Sequence, residues 1–169
     1  MPDTNEVLNQ WLRDAHAMEG QAEKMLTAQA KRLVHYPEPR RRIEQHIEET
    51  RSQRERLRQC LEARGTTSSV VKNVAGQAMA MMQGLGGVLA GDEVVKGTLA
   101  GYVFEHMEIA SYQILVAAAE AVGDQQTAQV CREICREEEA MAAWLSEHQA
   151  EITRTYLARE DAALDEAKR

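Results

Sequence analysis

The stretch 105–112, EHMEIASY, decides how this chain folds. Within four residues it places Glu105, His106 and Glu108, and then it turns apolar. Ile109, Ala110 and Tyr112 follow, with Leu115 and Val116 close behind. As a helix, the stretch lines up 102, 105, 109, 112 and 116 on one face, with 108 adjoining. Two carboxylates therefore fall where the helix should turn toward its core. A charge left alone in such a place is costly, so the stretch calls for partners elsewhere in the chain.

The surrounding sequence predicts helix nearly throughout. Ala, Glu, Gln, Arg and Met are plentiful, prolines occur only at 2, 37 and 39, and runs of β-branched residues are absent. A first helix is predicted over 4–34, with Leu8, Trp11, Leu12, Ala15, Ala22, Leu26 and Leu33 recurring at spacings of three and four, and with Thr4 or Asn5 as the cap. HYPEP at 35–39 should end it. A second helix is predicted from after Pro39 to about Arg64, with Ile43, Ile47, Leu57 and Leu61 inward and Gly65 at its C-cap. The glycine- and methionine-rich segment 66–92 predicts a short extra helix at about 68–83 and then a loop. A third helix is expected over 92–121, stopping at Gly123. A fourth starts near Asp124 and runs through Val130, Ile134, Met141 and Leu145, with a polar end.

Four long helices in two short-turned pairs, joined by one long crossover, describe an all-α four-helix bundle with ferritin-like connectivity. The expectation is a single domain over 1–169, with the bundle at about 4–150 and a helical extension or tail at about 151–169.

Charge and composition exclude several function classes. A net charge of −7 argues against a nucleic-acid binder, and the basic run PRRRIEQ at 39–45 reads as a solvated helix start. No apolar run reaches the roughly 18 residues of a membrane span. The polar N-terminus carries no secretory pattern. Cys60, Cys131 and Cys135 lack a disulfide-framework spacing and suit reduced, buried thiols in a cytoplasmic protein.

Each predicted helix carries a polar misfit on its apolar stripe. On the first it is Glu19, among 12, 15, 22 and 26. On the second it is His46, followed by Thr50 and Gln53, with Glu49 three residues on. On the third the misfits are Glu105 and Glu108, and on the fourth Glu138. Converging carboxylates repel unless a cation sits among them, and carboxylates with an imidazole suit iron or manganese, with zinc possible. The spacing alone leaves open whether Glu48 or Glu49, and which of Glu137, Glu138 and Glu139, point inward.

EHMEIASY, followed by AEAVGDQQTAQVCREICREEEA at 119–140, resembles the YciE/YciF-type ferritin-like family of bacterial stress-associated proteins. RDAHAMEGQAEKML at 13–26 and HIEETRSQRERL at 46–57 are similar to that family's other two signature stretches. The resemblance spans roughly residues 5–150. It implies a ferritin-like bundle with the extra crossover helix, a homodimer, and a dinuclear metal centre formed by Glu19, His46, Glu49, Glu105, Glu108 and Glu138. The pattern departs from common di-iron sites, which use Glu-x-x-His on two helices. Here the second helix reads His46-x-x-Glu49, and Met141 stands three residues after Glu138.

Two functions follow as expectations. One is a dinuclear iron or manganese protein that handles peroxide or ferrous iron, with Glu49 and Glu108 bridging the ions and Tyr112 or His106 nearby. The alternative is a non-catalytic dimeric structural or binding stress protein. Its polar core would be a stabilising metal clamp or a vestigial site, and Met79, Met81 and Met82 would lie in its dimer face.

Overall fold

The computed structural model describes residues 3–68 and 93–167, as four helices: α1 (Thr4–Arg32), α2 (Pro37–Ala63), α3 (Glu93–Ala121) and α4 (Gln125–Ala167). No strand occurs among the described residues. The crossover helix expected at 68–83, with its three methionines, lies outside them. No helix among them is long and apolar enough to cross a membrane.

The ends of the helices follow local chemistry. Asp3 caps α1, its carboxylate accepting from the Asn5 amide, so Thr4 is already helical and is not the cap expected from the sequence. α2 begins at Pro37, three residues before the expected start. The amides of a first turn have no intrahelical partner, so Pro37 and Pro39 forfeit nothing there. Gly65 and Gly123 adopt φ 73° and 79°. These left-handed conformations let Thr66 and Asp124 donate back to the carbonyls of Leu61 and Ala119 and close α2 and α3. Asp124 then caps α4, accepting from the amide and hydroxyl of Thr127.

α1 and α2 form one antiparallel hairpin, and α3 and α4 the other. Near one end, Arg64 at the close of α2 bonds Asn5 and Asn9 of α1 and Asp124 at the head of α4. Near the other, Gly97 of α3 lies against Gln29 of α1. α2 and α3 therefore run in the same direction, the ferritin-like order. Helix α4 runs on to Ala167 without a break, so the expected tail continues the bundle helix. Ile152 is still buried, and the Arg159 guanidinium stands 5.8 Å from the Tyr36 ring centroid.

The core is divided. One apolar cluster gathers Leu8, Leu12, Leu57, Leu61, Phe104, Leu115 and Ile134. A second gathers Leu26, Leu33, Ile43, Ile47, Met141 and Leu145. On α2 and α4 a polar layer falls between them, containing His46, Thr50, Gln53 and Glu138.

Candidate metal centre

Helical phase puts the polar layer inside. On α1, Glu19 follows Leu12 and Ala15 and precedes Ala22 and Leu26, all buried. On α2, His46 takes the equivalent stripe between Ile43 and Thr50. Glu105 and Glu108 on α3 and Glu138 on α4 complete the layer. All five side chains are essentially inaccessible, at 0–1% exposure.

One ligand atom each from His46, Glu105, Glu108 and Glu138 falls within 4.8 Å of all the others. His46 Nε2 lies 3.3 Å from Glu105 Oε2 and 3.3 Å from Glu138 Oε2. Glu19 sits beside this group, with the buried Tyr112 hydroxyl donating to its Oε1. Glu49 is on the far side of the imidazole. Its Oε2 is 2.7 Å from His46 Nδ1 and 3.2 Å from Arg42 Nη1, and its Oε1 accepts from Gln45. Its side chain is 25% exposed.

The electrostatics of the layer are set by burial and by the crowding of its carboxyls. Among the described residues, Glu19 Oε2, Glu108 Oε1 and Glu138 Oε1 are buried without a hydrogen-bond partner, and Glu105 Oε2 and Glu138 Oε2 have only His46 Nε2, at 3.3 Å. Burial, and then the neighbouring carboxylates, push Glu19 and Glu108 well above the usual carboxylate range. Glu138 is pushed up to about 7, by burial first and Glu105 next, against the pull of His46. Burial alone would strip the proton from His46. Glu105, Glu138 and Glu49 outweigh it and hold the imidazole up to about 12. Burial raises Glu49 too, but His46 and Arg42 more than reverse this and bring it down to about 2. Four buried carboxyls around one imidazole, three of their oxygens without any partner among the described residues, form a donor set that can hold a metal ion.

Of the residues expected from sequence, the structure brings together Glu19, His46, Glu105, Glu108 and Glu138, and sets Glu49 one step outside. It also resolves the neighbours. Glu48 is exposed and tied to Arg51. Glu137 is held by Gln53 and Arg56, and Glu139 is exposed near Cys135. His106 is exposed and packs edge-on to Tyr102. Arg42, read from sequence as part of a solvated basic run, is largely buried against Glu49. Its arginine-run context gave no signal of this. Its position four residues before His46 and seven before Glu49 on one helix was the available clue.

The three cysteines are free and buried, as expected. Burial holds the Cys131 thiol up at about 12 and, with Glu139 adding to it, that of Cys135 at about 11, which disfavours the thiolate. A groove of about 630 Å³ at the end of the bundle is lined by Asn5, Asn9, Arg56, Arg64 and Asp124, and shares no residue with the cluster.

The sequence profile of Domain of unknown function DUF892 matches residues 3–158. The chain belongs to the DUF892 family. A solved protein of Xanthomonas campestris pv. campestris is 43% identical, with 94% of this chain and 99% of that one covered at a TM-score of 0.80. The E. coli stress protein YciF shares the fold at 24% identity and TM-score 0.80, with 91% and 99% covered. YcfI of Rhodopseudomonas palustris is 26% identical over 86% of this chain and 94% of that one, at TM-score 0.73. The likeness to the YciE/YciF-type family drawn from the sequence motifs is borne out among DUF892 proteins.

Proposed function

We propose that the bundle core holds divalent transition ions, iron or manganese with zinc as a substitute, and that the protein serves a stress role in handling peroxide or iron. His46, Glu105, Glu108 and Glu138 would hold an ion, and Glu19, with its one free oxygen, is the further carboxylate that would serve a second. The observation that carries this reading is the buried His46–Glu105–Glu108–Glu138 group, whose donor atoms lie within 4.8 Å and largely lack other partners. An iron or manganese ion held there would supply redox chemistry, in which electrons pass from ferrous iron to a peroxide acceptor. The chain's own part is to fix the donors, to exclude bulk water through the two apolar clusters, and to keep the Tyr112 hydroxyl on Glu19.

Elemental analysis of untagged protein purified without chelators tests this, alongside a Glu108→Ala, Glu138→Ala double variant. About two iron or manganese ions per chain, lost in the variant, is the expected result. A wild type that is empty and refuses metal on reconstitution would sink it.

The enclosure of the site supports a second reading. Ligands at 0–1% exposure suit a stabilising clamp as well as a reaction centre. In that case metal raises the melting temperature of a dimeric structural protein, and the loaded protein turns over neither peroxide nor ferrous iron.

A further inference from the structure

The ligand set and the residue that aims it are separable in this structure. An imidazole offers one nitrogen to an ion, and the partner of its other nitrogen decides which. His46 Nε2 faces Glu105 and Glu138 at 3.3 Å each, while Nδ1 faces Glu49 at 2.7 Å. Both oxygens of Glu49 are already engaged. Oε2 receives His46 and Arg42, and Oε1 receives Gln45. Glu49 is also the one residue of the six expected ligands with a side chain a quarter exposed, on the side of the ring away from the cluster.

We propose that Glu49, held by Arg42 and Gln45, is a positioning residue that keeps the His46 proton on Nδ1 and presents Nε2 to the metal, and is not itself a ligand. The inference rests on the metal-binding reading above. The reversed His-x-x-Glu order then has a physical meaning. Glu49 lies one turn after His46 on the same helix, so its carboxylate reaches back along the surface to the outer nitrogen. Arg42 lies one turn before His46, and its guanidinium closes the chain from the other side.

The test uses zinc as a diamagnetic probe, with affinity and stoichiometry from competition titration and ring ¹⁵N shifts from long-range proton–nitrogen spectra. Zinc-loaded wild type should show His46 with a protonated Nδ1 and a metal-bound Nε2. Glu49→Ala should lose roughly 10- to 100-fold in zinc affinity at unchanged stoichiometry. Glu49→Gln should recover most of that loss, because an amide oxygen still accepts from Nδ1–H. Glu138→Gln should not recover the loss of Glu138→Ala, because an amide is a poor ligand. Arg42→Met should weaken binding a few-fold with the ring signature intact. If Glu49→Gln binds as badly as Glu49→Ala, or either loses an equivalent of zinc, Glu49 is a ligand and the assignment is overturned while the metal site stands. If wild type takes up no zinc, the metal-binding reading fails and takes this assignment with it. Glu49 is partly exposed on a helix surface, so its variants should fold, and circular dichroism checks that they do.

Discussion

Residues 16–19 of α1 and 46–49 of α2 both read His-x-x-Glu, on the two helices of one hairpin, and they turn opposite ends into the core. On α1 it is Glu19 that joins the carboxylate layer. His16 lies toward Arg54, Arg58 and Glu55 of α2, and its Nδ1 has no partner. On α2 it is His46 that enters the layer, while Glu49 stays at the edge. The spacing is identical, so the spacing cannot decide. What decides is the phase of the apolar residues around it. Leu12, Ala15, Ala22 and Leu26 frame Glu19, and Ile43, Ile47 and Leu57 mark the buried face of α2 that His46 shares with Thr50 and Gln53.

The comparison breaks most easily at the histidines. His46→Ala should abolish stable metal binding, whereas His16→Ala should leave metal content unchanged. Metal analysis of the two purified variants reads this directly. Equal losses would mean that the two steps are equivalent and that helical phase does not choose between them.

That contrast also marks how far the sequence could be read. The four helices, the stripe holding Glu19 and the inward turn of His46 follow from periodicity, whereas Glu138 against Glu137 and Glu139 stayed open, because Glu137 is drawn aside only by Gln53 and Arg56 of α2. The start of α2 did not follow. Two prolines look like a barrier until they are seen in a first turn, where their missing N–H groups were never needed. Glu48 against Glu49 stayed open because both flank the buried edge of α2. The choice between solvent and His46 is made by Arg51 on one side and by Arg42 with Gln45 on the other. Arg42 itself was hidden in a run of arginines. The bond from Tyr112 to Glu19 joins residues 93 apart and required the α1–α3 pairing.

The polar layer and the apolar clusters beside it should respond differently to truncation. Leu57, fully buried one turn past Gln53, belongs to the first apolar cluster. Leu57→Ala should cost about 2–5 kcal/mol of stability through the lost contacts and the cavity left behind. It should leave metal stoichiometry unchanged as long as the protein is folded. Urea denaturation with metal analysis of the same sample separates the two effects. A Leu57→Ala protein that stays stable but loses metal would show that the clusters tune the site as well as enclose it.

A smaller effect separates the layer from the clusters by pH alone. In metal-free protein Glu138 is raised from 4.5 to about 7, so its folded state holds the proton more tightly than the unfolded chain. The stability it contributes is present below pH 4.5 and is lost as pH rises through 7. His46, raised from 6.5 to about 12, contributes stability that is full below pH 6.5 and declines as pH rises toward 12. Glu49 works the other way. Lowered to about 2, it contributes above pH 4.5 and is lost as pH falls through 2. Metal-free protein should therefore lose on the order of 3 kcal/mol between pH 5.5 and 8. Metal should reverse the slope, because the ligands must give up protons to bind it. Chemical denaturation at the two pH values, with and without metal, reads both slopes. A metal-free protein equally stable at both would mean that the buried carboxyls find partners other than protons.

The smallest effect returns to His16. Burial first, and then Arg54 and Arg58, push its proton affinity down, with Glu55 opposing. The neutral ring keeps an unpartnered Nδ1 in a nearly buried position. A buried polar atom without a partner costs more than an apolar atom in its place, so His16→Leu should be neutral or should gain up to about 1 kcal/mol at pH 7. The sign with pH is opposite to that of His46. With a lowered proton affinity in the folded state, His16 contributes stability above pH 6.5 that is lost as pH falls, and leucine removes that loss because it does not titrate. His16→Leu should thus gain most below pH 6.5, where the unfolded chain takes up a proton that the folded ring resists. A loss of more than about 2 kcal/mol in this variant would need a hydrogen bond to a charged group that the ring does not make here. It would place His16 inside the polar layer and make the two His-x-x-Glu steps alike.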